Sequence, residues 1–280
     1  MTLRPPAHIE AQDPKFRLLS QQTQRAWLVW ALLSLVGFVV LGGVALVMSI
    51  IALGSLLISL ILNVYHRLQI ENFQHYKQTE ALLSLHAHIR PRQPLPPMRL
   101  WAASPDFATL LLTHIQQQRP GMVVELGSGV STLITGYALQ ALRQGSMISV
   151  DHDANFAAVS RSRVQQHSLS DCVQVIHAPL ISLSVQGQTW QWYDLSELNN
   201  AERIDLLIVD GPPEQPGTLS RYPALPLLFE RLKPDALIVV DDFMRDDEQA
   251  MVGRWLAEFK LEVVEVVDNE KGAVVLRKLS

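Results

Sequence analysis

The chain has 280 residues, enough for one full domain plus an accessory segment, and its lone cysteine, Cys172, excludes an intrachain disulfide. Charge is divided: residues 1–100 carry nine Lys/Arg against four Asp/Glu (+5), and the remainder carries 14 against 23 (−9), for a net −4. An acidic second part argues against a nucleic acid substrate, which would want a basic groove.

From Ala26 to Val64 there is no Asp, Glu, Lys or Arg. As one helix that run would be about 58 Å long, nearly twice a hydrocarbon core. Two transmembrane helices over 26–64, with a turn near 42–45 at Gly42-Gly43, fit the length. A single tilted span with an interfacial continuation is the alternative. The run is too long and starts too late for a cleavable signal peptide. Arg4, Lys15, Arg17 and Arg25 precede it, and Arg67 and Lys77 follow it. With two spans both flanks lie on one side, and the positive-inside rule makes that side the cytoplasm. Residues 1–25 are then a cytoplasmic N-terminal segment, and membrane lipid is an expected partner.

Residues 65–97 read as a connector helix and a proline-rich linker. Tyr65 to His88 is polar, with Leu68, Phe73, Tyr76 and Leu83 at helical spacing. Pro91, Pro94, Pro96 and Pro97 then force an extended spacer, where the domain boundary is expected. The second domain, 98–280, opens with Ser104-Pro105-Asp106, a helix start running to about Gln118 before Pro120-Gly121 ends it.

Met122 to Leu126 reads as a buried strand entering a glycine turn (Gly127, Gly129) and a helix start capped by Ser131 or Thr132. Such a turn admits a ligand to the backbone, and the helix behind it presents free N–H groups. Glu125 sits inside the motif, and Thr132 stands where a dinucleotide site wants its third glycine. A carboxylate there suits an ammonium or a ribose better than a phosphate.

Ser146 to Asp151 is a second apolar strand, ending in an acid where a ribose-binding carboxylate belongs. Val173 to Ile176, Ile204 to Asp210 and Ala236 to Asp242 are three more, with helical periodicity near 133–143, 154–168, 219–232 and 246–259. The alternation predicts an α/β fold with a doubly wound parallel sheet, whose ligands sit at the strands' carboxyl ends. Glu125, Asp151, Asp210, Asp241 and Asp242 all fall there. Leu261 to Val267 and Ala273 to Arg277 predict a closing hairpin.

Asp210, Asp241 and Asp242 converge on adjacent strand ends. Carboxylates so close repel, and a divalent cation or a basic residue such as Arg245 must compensate them. Trp190, Trp192 and Tyr193, after a Gln186-Gly187 turn, form an aromatic cluster that either packs or stacks on a ring-shaped acceptor. Gly211 to Tyr222 reads as a loop over the site, where Arg221 and Tyr222 either touch substrate or start the next helix.

Glu-Leu-Gly-Ser-Gly-x-Ser-Thr (125–132), Ser-Val-Asp-His-Asp (149–153), Leu-Leu-Ile-Val-Asp-Gly-Pro-Pro (206–213) and Leu-Lys-Pro-Asp-Ala-Leu-Ile-Val-Val-Asp-Asp (232–242) resemble the motifs of class I S-adenosylmethionine-dependent methyltransferases. The likeness covers roughly residues 104–280. It implies a seven-stranded, mostly parallel, Rossmann-like sheet closed by an antiparallel hairpin. It also implies that Glu125, Gly127, Ser128, Gly129, Ser131, Asp151, His152, Ala178 and Asp210 hold S-adenosylmethionine, with Asp151 on the ribose hydroxyls and Ala178 near the adenine. The segment His177-Ala178-Pro179-Leu180 lacks the acid that many relatives carry there. A further likeness to catechol-type and sugar O-methyltransferases implies magnesium on Asp210, Asp241 and Asp242, with Asp210 and Asp241 catalytic. No lysine closely follows Asp210, so the general base stays unassigned.

The function expected is membrane-anchored methyl transfer to a hydroxyl of a small, sugar or lipid-linked acceptor. An NAD(P)-dependent oxidoreductase is a second possibility, opposed by the missing third glycine, Glu125 and the terminal hairpin. A non-catalytic membrane scaffold is a third, opposed by the intact Glu125, Gly127, Gly129 and Asp151.

Overall fold

The computed structural model describes residues 14–200, 203–213 and 219–280. The expectations for residues 1–13, including Arg4, and for residues 214–218 of the loop after Gly211 lie outside the described residues. The chain forms two compact units, Met1–Phe73 and Gln74–Ser280.

In the first unit, α1 (Pro14–Leu41) and the start of α2 (Gly43–Ile89) are separated by Gly42 alone, at φ 63°. That left-handed conformation costs glycine nothing because it has no Cβ. The helices meet closely: a Cβ added at Gly37 would lie 3.0 Å from the Ala45 Cβ, and Trp30 Nε1 donates to the Ser49 carbonyl at 3.0 Å. Leu28, Leu32, Leu33, Val39, Val40 and Val44 are all exposed. Among the described residues one helix, α2, is long and apolar enough to cross a membrane, and Arg25–Gly37 is a shorter apolar stretch. α2 runs for 47 residues without a break, so the polar 65–89 stretch continues the apolar helix. Only its composition changes, and no proline interrupts it.

The second unit begins inside α2, upstream of the proline run. Leu85 and Ile89 are buried in its core, and Gln78 Nε2 donates to Asp106 Oδ2 at 2.6 Å. Helix α3 (Pro105–Gln118) has Ser104 as its N-cap and proline in its first turn, and Arg119 ends it at φ 51°.

The strands are β1 (Met122–Leu126), β2 (Ser146–Asp151), β3 (Val173–His177), β4 (Leu180–Val185), β5 (Gln188–Tyr193), β6 (Ile204–Val209), β7 (Leu232–Asp241), β8 (Leu261–Val267) and β9 (Ala273–Lys278). Seven form one sheet in the order β3-β2-β1-β6-β7-β9-β8. The first five are parallel, and β9 returns antiparallel to both β7 and β8. This is the Rossmann-like, seven-stranded sheet with a closing hairpin that the motifs predict. β4 and β5 pair separately, through a two-residue turn at Gln186 (φ 49°) and Gly187 (φ 76°).

Helices α4 (Val130–Leu142) and α5 (Ala154–Gln166) join α3 on one face of the sheet. α6 (Ala224–Leu228), α7 (Asp246–Glu258) and the β4–β5 hairpin cover the other. Consecutive residues feed opposite layers, Val123 one and Val124 the other, which is why these strands read as unbroken apolar runs. Two local expectations are corrected. The helix read over 219–232 shrinks to five residues plus a 3-10 turn, because β7 already begins at Leu232 and Pro223 and Pro226 supply no N–H. α4 starts at Val130, with Gly129 in the cap position, so Ser131 and Thr132 lie inside the first turn.

The strand order reverses between β1 and β6. The crevice at their carboxyl ends is where an open α/β sheet takes its ligand.

Candidate active site

The glycine turn is shaped by close approach. Gly127 has φ 101°, and a Cβ there would lie 2.9 Å from the Asp210 carbonyl oxygen. Asp210 N donates to the Leu126 carbonyl at 2.9 Å, which draws the end of β6 against the turn. Gly129 differs: a Cβ there would meet nothing within 4 Å, so its backbone opens on empty space.

Asp151, at the end of β2, faces this turn and is 5% exposed. Its Oδ2 accepts from Ser128 Oγ at 2.6 Å and from Ser128 N at 3.2 Å, and its Oδ1 accepts from Asp153 N at 3.0 Å. The His152 ring stands beside it, with Nδ1 3.6 Å from Asp151 Oδ1. The Ala178 N–H donates to the Asp151 carbonyl at 2.8 Å, which places Ala178 beside the end of β2. Asp153 caps α5, accepting from Asn155 N and Phe156 N.

Glu125 is fully buried beneath the turn. Its Oε2 accepts from Thr132 Oγ1 at 2.5 Å and Ser149 Oγ at 2.6 Å, and Thr132 Oγ1 accepts from Gly129 N at 2.9 Å. Glu125 therefore braces the turn from inside, and Ser131 turns to the same carboxylate. Burial pushes the Glu125 carboxyl up to about 7, with the Ser131, Ser149 and Thr132 hydroxyls pulling it back. A carboxyl raised above its unfolded value contributes stability that is complete below pH 4.5 and is lost as pH rises through about 7. The loss by pH 8 is about 3 kcal/mol at most. Glu125→Gln removes this dependence: in thermal melts at pH 5 and pH 8 the wild type falls relative to the variant at the higher pH. A constant gap between the two would show that Glu125 is ionised in the fold.

The acidic cluster lies at the ends of β6 and β7. Asp210, Asp241 and Asp242 each offer an oxygen, all within 4.8 Å of one another. The Asp210 side chain is 14% exposed, whereas that of Asp241 is 0% exposed. Three basic side chains share the cluster. Arg221 Nη2 lies 2.8 Å from Asp242 Oδ2 and 3.9 Å from Asp210 Oδ1, and Arg221 Nη1 lies 3.5 Å from Glu248. Lys271 Nζ lies 3.6 Å from Asp241 Oδ2 and 3.8 Å from Asp242 Oδ1. Arg245 Nη1 lies 3.1 Å from Asp242 Oδ2. Neither Asp241 oxygen has a hydrogen-bond partner among the described residues. Burial pushes Asp210 up to about 7, opposed by Arg221 and helped by Asp242. Burial likewise holds Asp241 well above the usual carboxylate range, reinforced by Asp210 and Asp242. The expected magnesium ligands Asp210, Asp241 and Asp242 thus come together, each with a protein cation beside it.

Arg221, read from sequence as a substrate contact or a helix start, is 3% exposed at the centre of the cluster. Lys271 was legible only as a turn residue, although the pairing of Asp241 with Ala273 brings that turn to the acids. Tyr193, read from sequence as part of an aromatic cluster, is fully buried. Its buried hydroxyl has no partner among the described residues and packs where a Gly211 Cβ would be, 2.4 Å away. Trp190 stacks on Tyr222 at 5.0 Å, with the Arg254 guanidinium 3.8 Å from the Tyr222 ring centre. Beside this stack is a cavity of about 370 Å³ lined by Leu180, Trp190, Gln191, Pro212, Pro213 and Ser220.

Residues 124–243 match the family model described as "Methyltransferase domain". The fold is similar to that of the SAH-bound methyltransferase PaMTH1 of Podospora anserina, with TM-score 0.52 and 16% identity over 76% of this chain and 96% of that one. It is also similar to the O-methyltransferase TomG of Streptomyces achromogenes in complex with SAM, with TM-score 0.50 and 14% identity over 72% and 89% of the two chains. No curated protein sequence matches the chain. Residues 124–243 thus match a methyltransferase domain, and the chain carries the seven-stranded Rossmann-like sheet of those structures, with its crevice at the strands' carboxyl ends.

Proposed function

We propose that this enzyme is a membrane-anchored O-methyltransferase whose acceptor is a hydroxyl on a small, sugar or lipid-linked molecule. The observation that carries this reading is Asp210, the most exposed carboxylate of a charge-compensated cluster, whose backbone packs against the glycine turn at Gly127 and which stands two residues before the cavity wall at Pro212. The turn fits the cofactor, since its backbone is open above Gly129 and Asp151 presents a carboxylate to it. Gly127, Ser128, Gly129 and Asp151 would hold S-adenosylmethionine, with His152 beside them. When bound, it supplies an electrophilic methyl group on a sulfonium.

The protein's own part is positioning and proton transfer. Asp210 accepts the acceptor's hydroxyl proton on its carboxylate as the oxygen takes up the methyl group, so no alkoxide has to form in advance. Arg221 fixes that carboxylate by charge. Glu125 holds the turn through Thr132 and does not touch substrate. Uncharged walls at Leu180, Trp190, Gln191 and Pro212 suit a neutral ring with hydroxyls.

The anchor rests on the uncharged 26–64 run and on the exposed Leu and Val side chains of α1 and α2. Apolar surface so continuous is a liability in water and ordinary in lipid. We read α1 and α2 as two spans, with both basic flanks on the cytoplasmic side. Anchoring raises the local concentration of a membrane-borne acceptor.

The test supplies the full-length enzyme with methyl-labelled S-adenosylmethionine and with separate lipid and water-soluble extracts of its own cells. Label is expected in a lipid-extractable product, stable to mild base as an ether is. Label in soluble products alone would rule out a membrane-borne acceptor.

A further inference from the structure

We infer that Arg221 and Lys271 occupy the charge-compensating place of a divalent cation in the Asp210–Asp241–Asp242 cluster, so that this enzyme neither binds nor needs a metal there. The inference depends on the methyltransferase reading only for the chemical task of Asp210.

The first argument is spatial. A hard cation at these carboxylates must sit about 2.1–2.5 Å from an oxygen of each. Arg221 Nη2 already stands between Asp242 Oδ2 (2.8 Å) and Asp210 Oδ1 (3.9 Å). Lys271 Nζ stands between Asp241 Oδ2 (3.6 Å) and Asp242 Oδ1 (3.8 Å). Two of the three pairs of carboxylates that an ion would bridge are thus bridged by protein, and Asp242 belongs to both.

The second argument is electrostatic. Asp210, Asp241, Asp242 and Glu248 face Arg221, Lys271 and Arg245, four carboxyls against three fixed cations. Asp241 is wholly buried, and its two side-chain oxygens have no hydrogen-bond partner among the described residues; of the three cations, Lys271 stands nearest to its carboxylate. A divalent ion would leave the group net positive if all four were ionised. Arg221 is itself 3% exposed and meets three carboxylates, so it is built into the cluster. A guanidinium suits this place because it stays charged when buried and offers several donors in a fixed plane.

A guanidinium cannot act as a Lewis acid on the acceptor oxygen. Arg221 and Lys271 are therefore positioning residues: they hold the carboxylates against their mutual repulsion and leave Asp210 available to the acceptor's proton.

The experiment titrates Mn²⁺ into the metal-stripped, full-length protein in detergent, read by electron paramagnetic resonance of the free ion, alongside Arg221→Ala, Lys271→Ala and Asp242→Asn. The wild type is expected to show no site tighter than about 1 mM. Arg221→Ala, where folded by circular dichroism, is expected to bind Mn²⁺ at least about tenfold more tightly. Lys271→Ala, at a less buried position, carries the same expectation should Arg221→Ala fail to fold. One micromolar site per wild-type chain, lost in Asp242→Asn, would overturn the inference, as would both lysine and arginine variants folding without gaining affinity. Affinity for S-adenosylmethionine, measured on the same samples with EDTA, reports separately on the methyltransferase reading.

Discussion

Asp210→Asn is expected to lower kcat about 10²–10⁴-fold while changing the affinity for S-adenosylmethionine no more than about twofold. The amide keeps the shape of the carboxylate, and the backbone N–H that bonds the Leu126 carbonyl is untouched. What disappears is the acceptor of a proton at the moment the acceptor oxygen becomes a nucleophile. Because Asp210 is pushed up to about 7, the wild-type rate should climb with pH through that region as the carboxylate forms. The variant should lose that limb. Single-turnover measurements across pH 5–9 decide it: a loss below about tenfold, or an unchanged limb, would mean that another group takes the proton.

Asp151→Ala should weaken S-adenosylmethionine binding about 10²-fold or more. Two ribose hydroxyls donating to an ionised acceptor contribute about 1.5–3 kcal/mol each, and 1.4 kcal/mol is tenfold in affinity. The same carboxylate also receives Ser128 N and Oγ, so its removal frees the middle of the glycine turn. Asp151→Asn separates the two effects, since one remaining oxygen can still take the Ser128 bonds while the charge and half of the ribose acceptor are lost. Calorimetry should place it between the wild type and the alanine variant. Equal affinity of wild type and Asp151→Ala would remove this residue from the site.

The sheet was legible because strands buried on both faces leave continuous apolar runs, and the crevice because Gly127, Gly129 and Asp151 keep a spacing that backbone geometry demands. The compensation of the acids was not. Asp210, Asp241 and Asp242 announce a charge problem in sequence, but its solution comes from Arg221, eleven residues past Asp210, and from Lys271, carried back by the antiparallel return of β9. Charge at a distance in sequence carries no periodic signal. Tyr193 was named with the aromatic cluster, but at the end of a two-stranded hairpin nothing local says whether its hydroxyl meets solvent or is buried against Gly211. Glu125 was seen, yet its direction was not, because a carboxylate beside a turn can face a ligand or brace the turn from within, and only Thr132 and Ser149 decide between them. The short α6 shows tertiary pairing of Leu232 with Ile204 overriding a helical apolar pattern.

The most direct measurement is calorimetric titration of the full-length protein with S-adenosylmethionine and, in parallel, with NAD⁺. One molecule of the sulfonium should bind per chain, with NAD⁺ giving no heat of binding. Saturable binding of NAD⁺ with none of S-adenosylmethionine would contradict the site as described.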